Sequence, residues 1–329
     1  MKIAVVILNW NGKKLLEQFL PSVVEHSNDA TIYVVDNAST DDSIVFVSSN
    51  YPSIKIIKNS INGGFAKGYN DALKHIEADV FCLLNSDVEV TKNWITPIIN
   101  VFENESNTAI IQPKILDYKN KDYFEYAGAA GGFIDKYGFP YCRGRLFNTL
   151  EQDIGQYDDI ADIFWASGAC FFVRSEVFKK LNGFDEHFFA HIEEIDLCWR
   201  AKNSGYNIKY VYQSKVYHLG GATLSKSNSK KTYLNFRNSL FTLIKNAKGP
   251  LFPVMFFRLT LDGVASVKFL FELKPSHSLA ILKSHVSFYR YLPYYLKQRK
   301  LQKNKIKYFS KTSIVIDYFL NKKTTYKCL

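Results

Sequence analysis

Short runs of continuously apolar, β-branched residues alternate with helical periodicity through the first hundred positions. Residues 3–8 (IAVVIL) read as a strand, followed by a polar turn and helical spacing from Lys13 to about His26. The strand signal returns at 31–35 (TIYVV), 54–58 and 80–84 (VFCLL), with a helix expected over about 65–76. Strands without alternation are buried on both faces, so this pattern predicts an α/β fold: a mostly parallel sheet covered by helices on each side. In such sheets ligands bind beyond the carboxyl ends of the strands. Residues 108–165 are patchy, with glycines at 128, 131 and 132. Order resumes with a strand at 169–173, helices at 175–181 and about 193–203, and strands at 208–211 and 215–218. From Lys231 onward the pattern is mostly helical and mixed with basic residues, and no internal repeat occurs.

Charge changes this picture. The chain has 329 residues and a formal charge of +11, yet 225–329 hold 21 Lys and Arg against 3 Asp and Glu. The first 224 residues hold 21 basic and 28 acidic groups, so a body of opposite sign carries a basic, aromatic tail. Such a tail suits an anionic surface, membrane or nucleic acid. It has no recognisable nucleic-acid-binding motif, and its aromatics interleave with aliphatics as in core or interfacial helices, so no nucleic-acid partner is expected. The expected division is a catalytic domain over 1–246 and a helical region over 247–329 in peripheral contact with a membrane. No segment offers the roughly 20 uncharged apolar residues of a spanning helix. The nearest, 250–271, is interrupted by Arg258, Asp262 and Lys268. The N-terminal apolar stretch is too short for a secretory signal. Five cysteines without a C-x-x-C pair indicate neither a disulfide framework nor a zinc site, and fit a reducing, cytoplasmic compartment.

Three predicted strands end in small polar residues: Asn9-Trp10-Asn11-Gly12, Asp36-Asn37-Ala38-Ser39 and Asn85-Ser86-Asp87. Each alone reads as turn chemistry, whereas three on one rim point to a ligand site. Asp36 can accept a hydrogen bond from a nucleobase or cap a turn. The loop 62–70 (NGGFAKGYN) leads into a helix whose N–H groups favour anions, although it is neither a P-loop nor a dinucleotide fingerprint. Asp87 supplies the hard oxygen that Mg²⁺ or Mn²⁺ prefers. His218, taken alone, reads more readily as structural than as a ligand. The segment 191–197 (HIEEIDL) places three acids at a helix start, favoured by the helix dipole and also suited to general-base work. Asp196 and Arg200 are helix neighbours and are expected to pair.

The stretches VVILNWNG, VVDNASTDDS, NGGFAKGYNDAL, LLNSDVEV, SGACFFVRSEVFKKLNGFDEHFF, EEIDLCWR and VYHLGGAT, in this order, resemble the inverting glycosyltransferases of family 2, particularly the rhamnosyltransferase-like branch, over roughly residues 3–246. The resemblance implies a GT-A fold, a nucleotide-diphosphate sugar donor (dTDP-rhamnose or a UDP-hexose), a divalent metal (Mn²⁺ or Mg²⁺) and single displacement. It gives Asp36 the nucleobase contact, with Asn9 beside it, and sets Gly64, Phe65 and Asn70 along the donor. Asn85-Ser86-Asp87 stands in the place of the family's D-x-D motif. That makes Asp87 a metal ligand with His218, and Asn85 and Ser86 donor contacts. Glu194 aligns with the catalytic base, Glu193 with a residue binding acceptor or sugar hydroxyls, and Trp165 and Gly168 with the acceptor pocket, where core packing explains Trp165 equally well. The implied acceptor is a glycan or lipid-linked glycan at the cytoplasmic face of the plasma membrane. Asn85 and Glu194 replace the commoner aspartates, which leaves open a second class of function, an inactive sugar-nucleotide-binding scaffold at the membrane.

Overall fold

Seven residues at the start of the chain are enough to fix the centre of the sheet. β1 (Ile3–Asn9) is buried almost throughout, with Ala4 and Val6 in one apolar core and Ile3, Val5 and Ile7 in another. A strand whose alternate side chains enter two cores must have a layer on each face. The computed structural model describes residues 1–220, 228–302 and 304–329. After α1 (Lys13–His26) come β2 (Ala30–Asp36), α2 (Ser43–Asn50), β3 (Lys55–Lys58), α3 (Gly64–Leu73) and β4 (Val80–Asn85). β1 pairs in parallel with both β2 and β4, and β2 with β3.

β5 (Val88–Val90), α4 (Thr96–Asn104) and β6 (Thr108–Asp117) follow. Then come four short strands, β7 (Gly132–Ile134), β8 (Pro140–Cys142), β9 (Arg145–Leu146) and β10 (Thr149–Leu150), which form a separate antiparallel sheet. Strands of two and three residues carry no readable periodicity, which is why this region looks irregular in the sequence. β11 (Ile160–Asp162), β12 (Cys170–Arg174), α5 (Ser175–Lys180), α6 (Glu193–Asn203) and β13 (Asn207–His218) complete the main sheet in the order β11-β13-β6-β12-β4-β1-β2-β3, with β5 on β13. β12 runs antiparallel to β4 and β6, and β13 parallel to β6, so the sheet is mixed. The two strands expected at 208–211 and 215–218 are one, with a register shift between Val211 and Lys215 where Tyr212-Gln213-Ser214 breaks the apolar run.

The C-terminal helices are α7 (Ser229–Asn246), α8 (Leu251–Phe271), α9 (Pro275–Leu301) and α10 (Ile314–Phe319). α9 packs on α7 through Phe241 stacked on the fully buried Tyr295, ring centroids 4.2 Å apart. The last residues return to the small sheet, where Ile314 N donates to Asp135 Oδ2 at 3.0 Å and Tyr308 Oη to Lys136 O at 2.7 Å. Among the described residues no helix is long and apolar enough to cross a membrane. All five cysteines are free, four of them buried.

Candidate active site

Strand register brings the three polar segments to one rim. Asn9 lies opposite Asp36, and Leu8 opposite Asn85. The rim residues do not all face outward. Asn9 is fully buried, and its Nδ2 donates to Ser39 Oγ at 3.2 Å and Ser43 Oγ at 2.9 Å. It ties the β2–α2 loop to β1, while its Oδ1 finds no hydrogen-bond partner among the described residues. Asp36 accepts from Ser39 N at 3.3 Å on both carboxylate oxygens, a weak turn cap that leaves acceptor capacity. Asn85 and Ser86 are half-buried at the end of β4, where Asn85 N donates to Ala169 O at 3.0 Å.

The α3 loop is committed to internal structure. Gly64 has φ +81°, and any Cβ there would collide with Phe189. Its N–H donates to Asn62 Oδ1 and its carbonyl accepts from Asn37 Nδ2. The close approach this glycine permits is to Phe189. Asn70 is held to the 184 backbone, because Nδ2 donates to Phe184 O at 2.9 Å and Oδ1 accepts from Phe184 N at 2.9 Å. Phe65 stands edge-on to Tyr69 and Phe184 and points towards Gly168. Trp165 belongs to the core: it is buried, its Nε1 donates to Phe133 O at 2.8 Å, and its ring fills the space beside Gly132.

Asp87 and His218 do meet. β5 pairs with the end of β13, and His218 Nε2 lies 3.2 Å from Asp87 Oδ1, both side chains buried. On the other side of the ring, Glu125 Oε2 is 3.3 Å from Nδ1, close enough for an ion pair although outside hydrogen-bond alignment. Burial opposes a charge on His218, but the carboxylates of Glu125 and Asp87 outweigh it and raise its pKa to about 10. For Asp87, burial again opposes ionisation and the facing imidazolium wins, holding the carboxyl below its ordinary value. A carboxylate oxygen and an imidazole nitrogen at one point, with the second ring nitrogen held by a carboxylate, is a donor set that fits Mn²⁺. Loading it would displace the Nε2 proton. Among the described residues no group of three or more His, Cys, Asp or Glu side chains is placed to hold a metal ion. The rest of the VYHLGGAT stretch, 221–223, lies outside the described residues.

The acidic helix start is the least satisfied part of the rim. Phe189, His191 and Ile192 all have left-handed backbones, φ 64°, 71° and 74°. Each such residue costs on the order of 1–3 kcal/mol and persists only where its surroundings enforce it. The enforcement comes from α7. Asn238 Nδ2 contacts the carbonyls of Phe188, Ala190 and His191 at 3.0, 3.0 and 2.7 Å, and Arg237 Nη2 donates to His187 O and Phe188 O. Asp196, as its spacing predicts, pairs with Arg200 at 2.7 Å, and it also meets Lys245 at 3.0 Å.

Glu193, Glu194 and His191 are less satisfied: among the described residues, Glu193 Oε2, Glu194 Oε2 and His191 Nε2 are buried without a hydrogen bond. Burial raises the pKa of Glu194 to about 7. Burial also raises the pKa of Glu193 well above its ordinary value, with the neighbouring Glu194 charge acting in the same direction. The helix N-terminus favours both anions by about 1 kcal/mol or less, too little to offset desolvation. His191 is kept neutral by burial and by Lys231, with its pKa lowered to about 4. A Cβ on Gly168 would stand 3.7 Å from Glu194 Cδ and 3.6 Å from Phe65 Cζ, so this glycine leaves open the space in front of the carboxylate. Gly168 immediately precedes the strand that pairs with β4, which puts Glu194 on the Asn85–Asp87 rim. Sequence reasoning missed Glu125 and Asn238. Neither carries a spacing signal, because each acts through a contact across more than 45 residues.

A buried carboxylate with one unpaired oxygen and a pKa near neutrality is equipped to take a proton from a hydroxyl. The chain is 24% identical over 242 residues to the low-salt glycan biosynthesis hexosyltransferase Agl10 of Haloferax volcanii, covering 72% of this chain and 73% of that one. It is 23% identical over 235 residues to the N-acetylglucosaminyl-diphospho-decaprenol L-rhamnosyltransferase of Mycobacterium tuberculosis, covering 66% and 75%. Its fold is similar to that of GalNAc-T7, crystallised with UDP, GalNAc and Mn²⁺, with a TM-score of 0.61, 16% identity and coverage of 85% of this chain but 54% of that longer one. Residues 4–181, more than half of the chain, match the family described as Glycosyl transferase family 2, so a glycosyltransferase of that family with a GT-A fold is what this chain is.

Proposed function

We propose that the protein transfers a hexosyl or rhamnosyl group, with inversion, from a UDP- or dTDP-sugar to a hydroxyl of a glycan or lipid-linked glycan. The observation that carries this reading is the Glu193–Glu194 pair, buried and with one partnerless oxygen on each carboxylate. Glu194 takes the acceptor proton as the hydroxyl attacks the anomeric carbon from the face opposite the leaving group. Glu193 binds a sugar or acceptor hydroxyl, and neutral His191 offers a second polar contact. Asp87 and His218 would hold Mn²⁺ or Mg²⁺, whose positive charge would offset that of the nucleotide diphosphate. Asp36, Asn85 and Ser86 line the donor side. The diphospho-decaprenol in the name of the mycobacterial relative supports a lipid-linked acceptor. Catalysis is assigned to 1–246, and 247–329 to the cytoplasmic face of the plasma membrane.

The test is transfer from a panel of radiolabelled nucleotide sugars, with Mn²⁺ and EDTA arms and NMR assignment of the product anomer. Inverted product, lost with EDTA, is expected. Tight nucleotide binding without turnover on any donor would instead favour the inactive scaffold. A retained anomeric configuration would remove Glu194 from its role.

Glu125 gives a further expected result. Glu125→Gln keeps the shape beside His218 Nδ1 and removes the charge that orients the ring. Mn²⁺ affinity, followed by electron paramagnetic resonance of the free ion, should fall about tenfold or more. An unchanged affinity would make Glu125 a packing residue only.

A further inference from the structure

The helical pair α8–α9 is built inside out. On α8 the side chains turned inward include Arg258, Asp262 and Ser266, with Arg258 Nε on Asp262 Oδ1 at 2.9 Å and its Nη1 on the carbonyls of Tyr137 and Gly138. Those turned outward include Phe252, Phe256, Val264, Val267 and Phe271, with Phe252 83% and Phe271 85% exposed. On α9 the buried positions include His277, Ser278 and Ser284. Leu279, Leu282, Val286, Tyr289 and Leu296 are exposed, Val286 at 70%. Their spacing of three, four and seven residues puts them on one face of the helix. A helix in contact with water alone has the opposite arrangement.

Charge says what covers this surface. α9 has no acidic residue, and Lys283, Arg290 and Lys297 recur at seven-residue intervals along its apolar stripe, followed by Lys300. The ion pairs of the hairpin are Arg258–Asp262, Lys268–Glu272, Lys274–Glu272 and His285–Asp262, and these four basic side chains join none of them. A stripe of apolar side chains bordered by unpaired cations matches the boundary between anionic headgroups and acyl chains. Next to it, Leu279, Leu282, Lys283, Val286 and Ser287 of α9 and Tyr233 of α7 line a groove of about 480 Å³. Tyr233 accepts a contact from Arg237, which holds the 187–188 carbonyls ahead of Glu193 and Glu194.

We infer that the outward face of the α8–α9 hairpin lies on an anionic bilayer, with Lys283, Arg290 and Lys297 on the headgroups and the exposed Leu, Val and Phe side chains in the acyl boundary. This rests on the membrane reading above and names the face that performs it. It also sets α7, and through it the acidic loop, beside the lipid surface that would present a lipid-linked acceptor.

The experiment uses the full chain with vesicles of phosphatidylcholine alone and with about 30% phosphatidylglycerol. Wild type should bind the anionic vesicles, more weakly as salt rises. The triple variant Lys283→Gln, Arg290→Gln, Lys297→Gln should lose affinity on the order of a hundredfold. Its melting temperature and its transfer to a soluble acceptor should be unchanged. A second variant, Leu282→Ser with Val286→Ser, should lose binding to both vesicle types. If wild type binds neither vesicle, the membrane reading itself falls. If wild type binds and both variants bind equally well, the membrane reading stands and this face is the wrong one. Sedimentation showing a dimer that the second variant dissolves would assign the face to a second copy of the chain and overturn the lipid assignment.

Discussion

Asp87→Ala is expected to abolish metal-dependent transfer, a loss of about 10³-fold or more, while the protein stays folded. The carboxylate ends a segment fixed by β4, β5 and β13, and Leu219 N donates to the backbone carbonyl of Asp87, so the chain path does not depend on its side chain. Its removal leaves His218 paired with Glu125 and free to shed its proton, so the cost to stability is modest. Mn²⁺ binding should disappear together with activity. His218→Ala should be milder, because Asp87 and the donor diphosphate still supply oxygen ligands. Near-wild-type, EDTA-sensitive turnover in Asp87→Ala would sink the donor-site assignment.

Glu194→Gln should lower kcat by ~10²–10⁴ and leave nucleotide affinity nearly unchanged. The amide preserves shape and has no basicity. In wild type saturated with metal and donor, kcat should fall as pH drops below about 7, because protonation of Glu194 removes the base. That limb should be absent from the residual rate of the variant. Glu193→Gln keeps the shape and hydrogen-bonding capacity of a side chain assigned to binding, and should cost much less in kcat. If Glu193→Gln were the slower of the two, with normal folding, the base would be Glu193.

The parts of this fold that the sequence announces are those where burial acts on consecutive residues. β1 and β4 are apolar without alternation because both their faces are covered, and their ends stand out because the polarity changes abruptly at Asn9 and Asn85. α6 is legible to its boundaries, since three acids mark its start and Arg200 and Lys202 its end. The small sheet β7–β10 is invisible because two or three residues cannot display a period. Within the site, residue type predicts chemistry better than direction. Asn9 and Asn70 are amides on the expected rim, and the internal hydrogen bonds they also make are visible only from the partner loops. The burial of Trp165 is equally hidden, because a tryptophan beside a site and one beneath it have the same sequence. Glu125 emerges only when the 108–165 segment is folded back against β13.

The clamp of Asn238 on the left-handed loop has a consequence for the order in which the enzyme comes into being. Asp36, Asn85 and Asp87 lie within the first 87 residues, whereas His218 comes with β13 and the clamp on the loop with residue 238. Chains grow from the N-terminus and domains fold as units. The proposed metal pair and the proposed base therefore come together only once β13 and α7 have emerged and docked, so a partly made chain does not hold a working site.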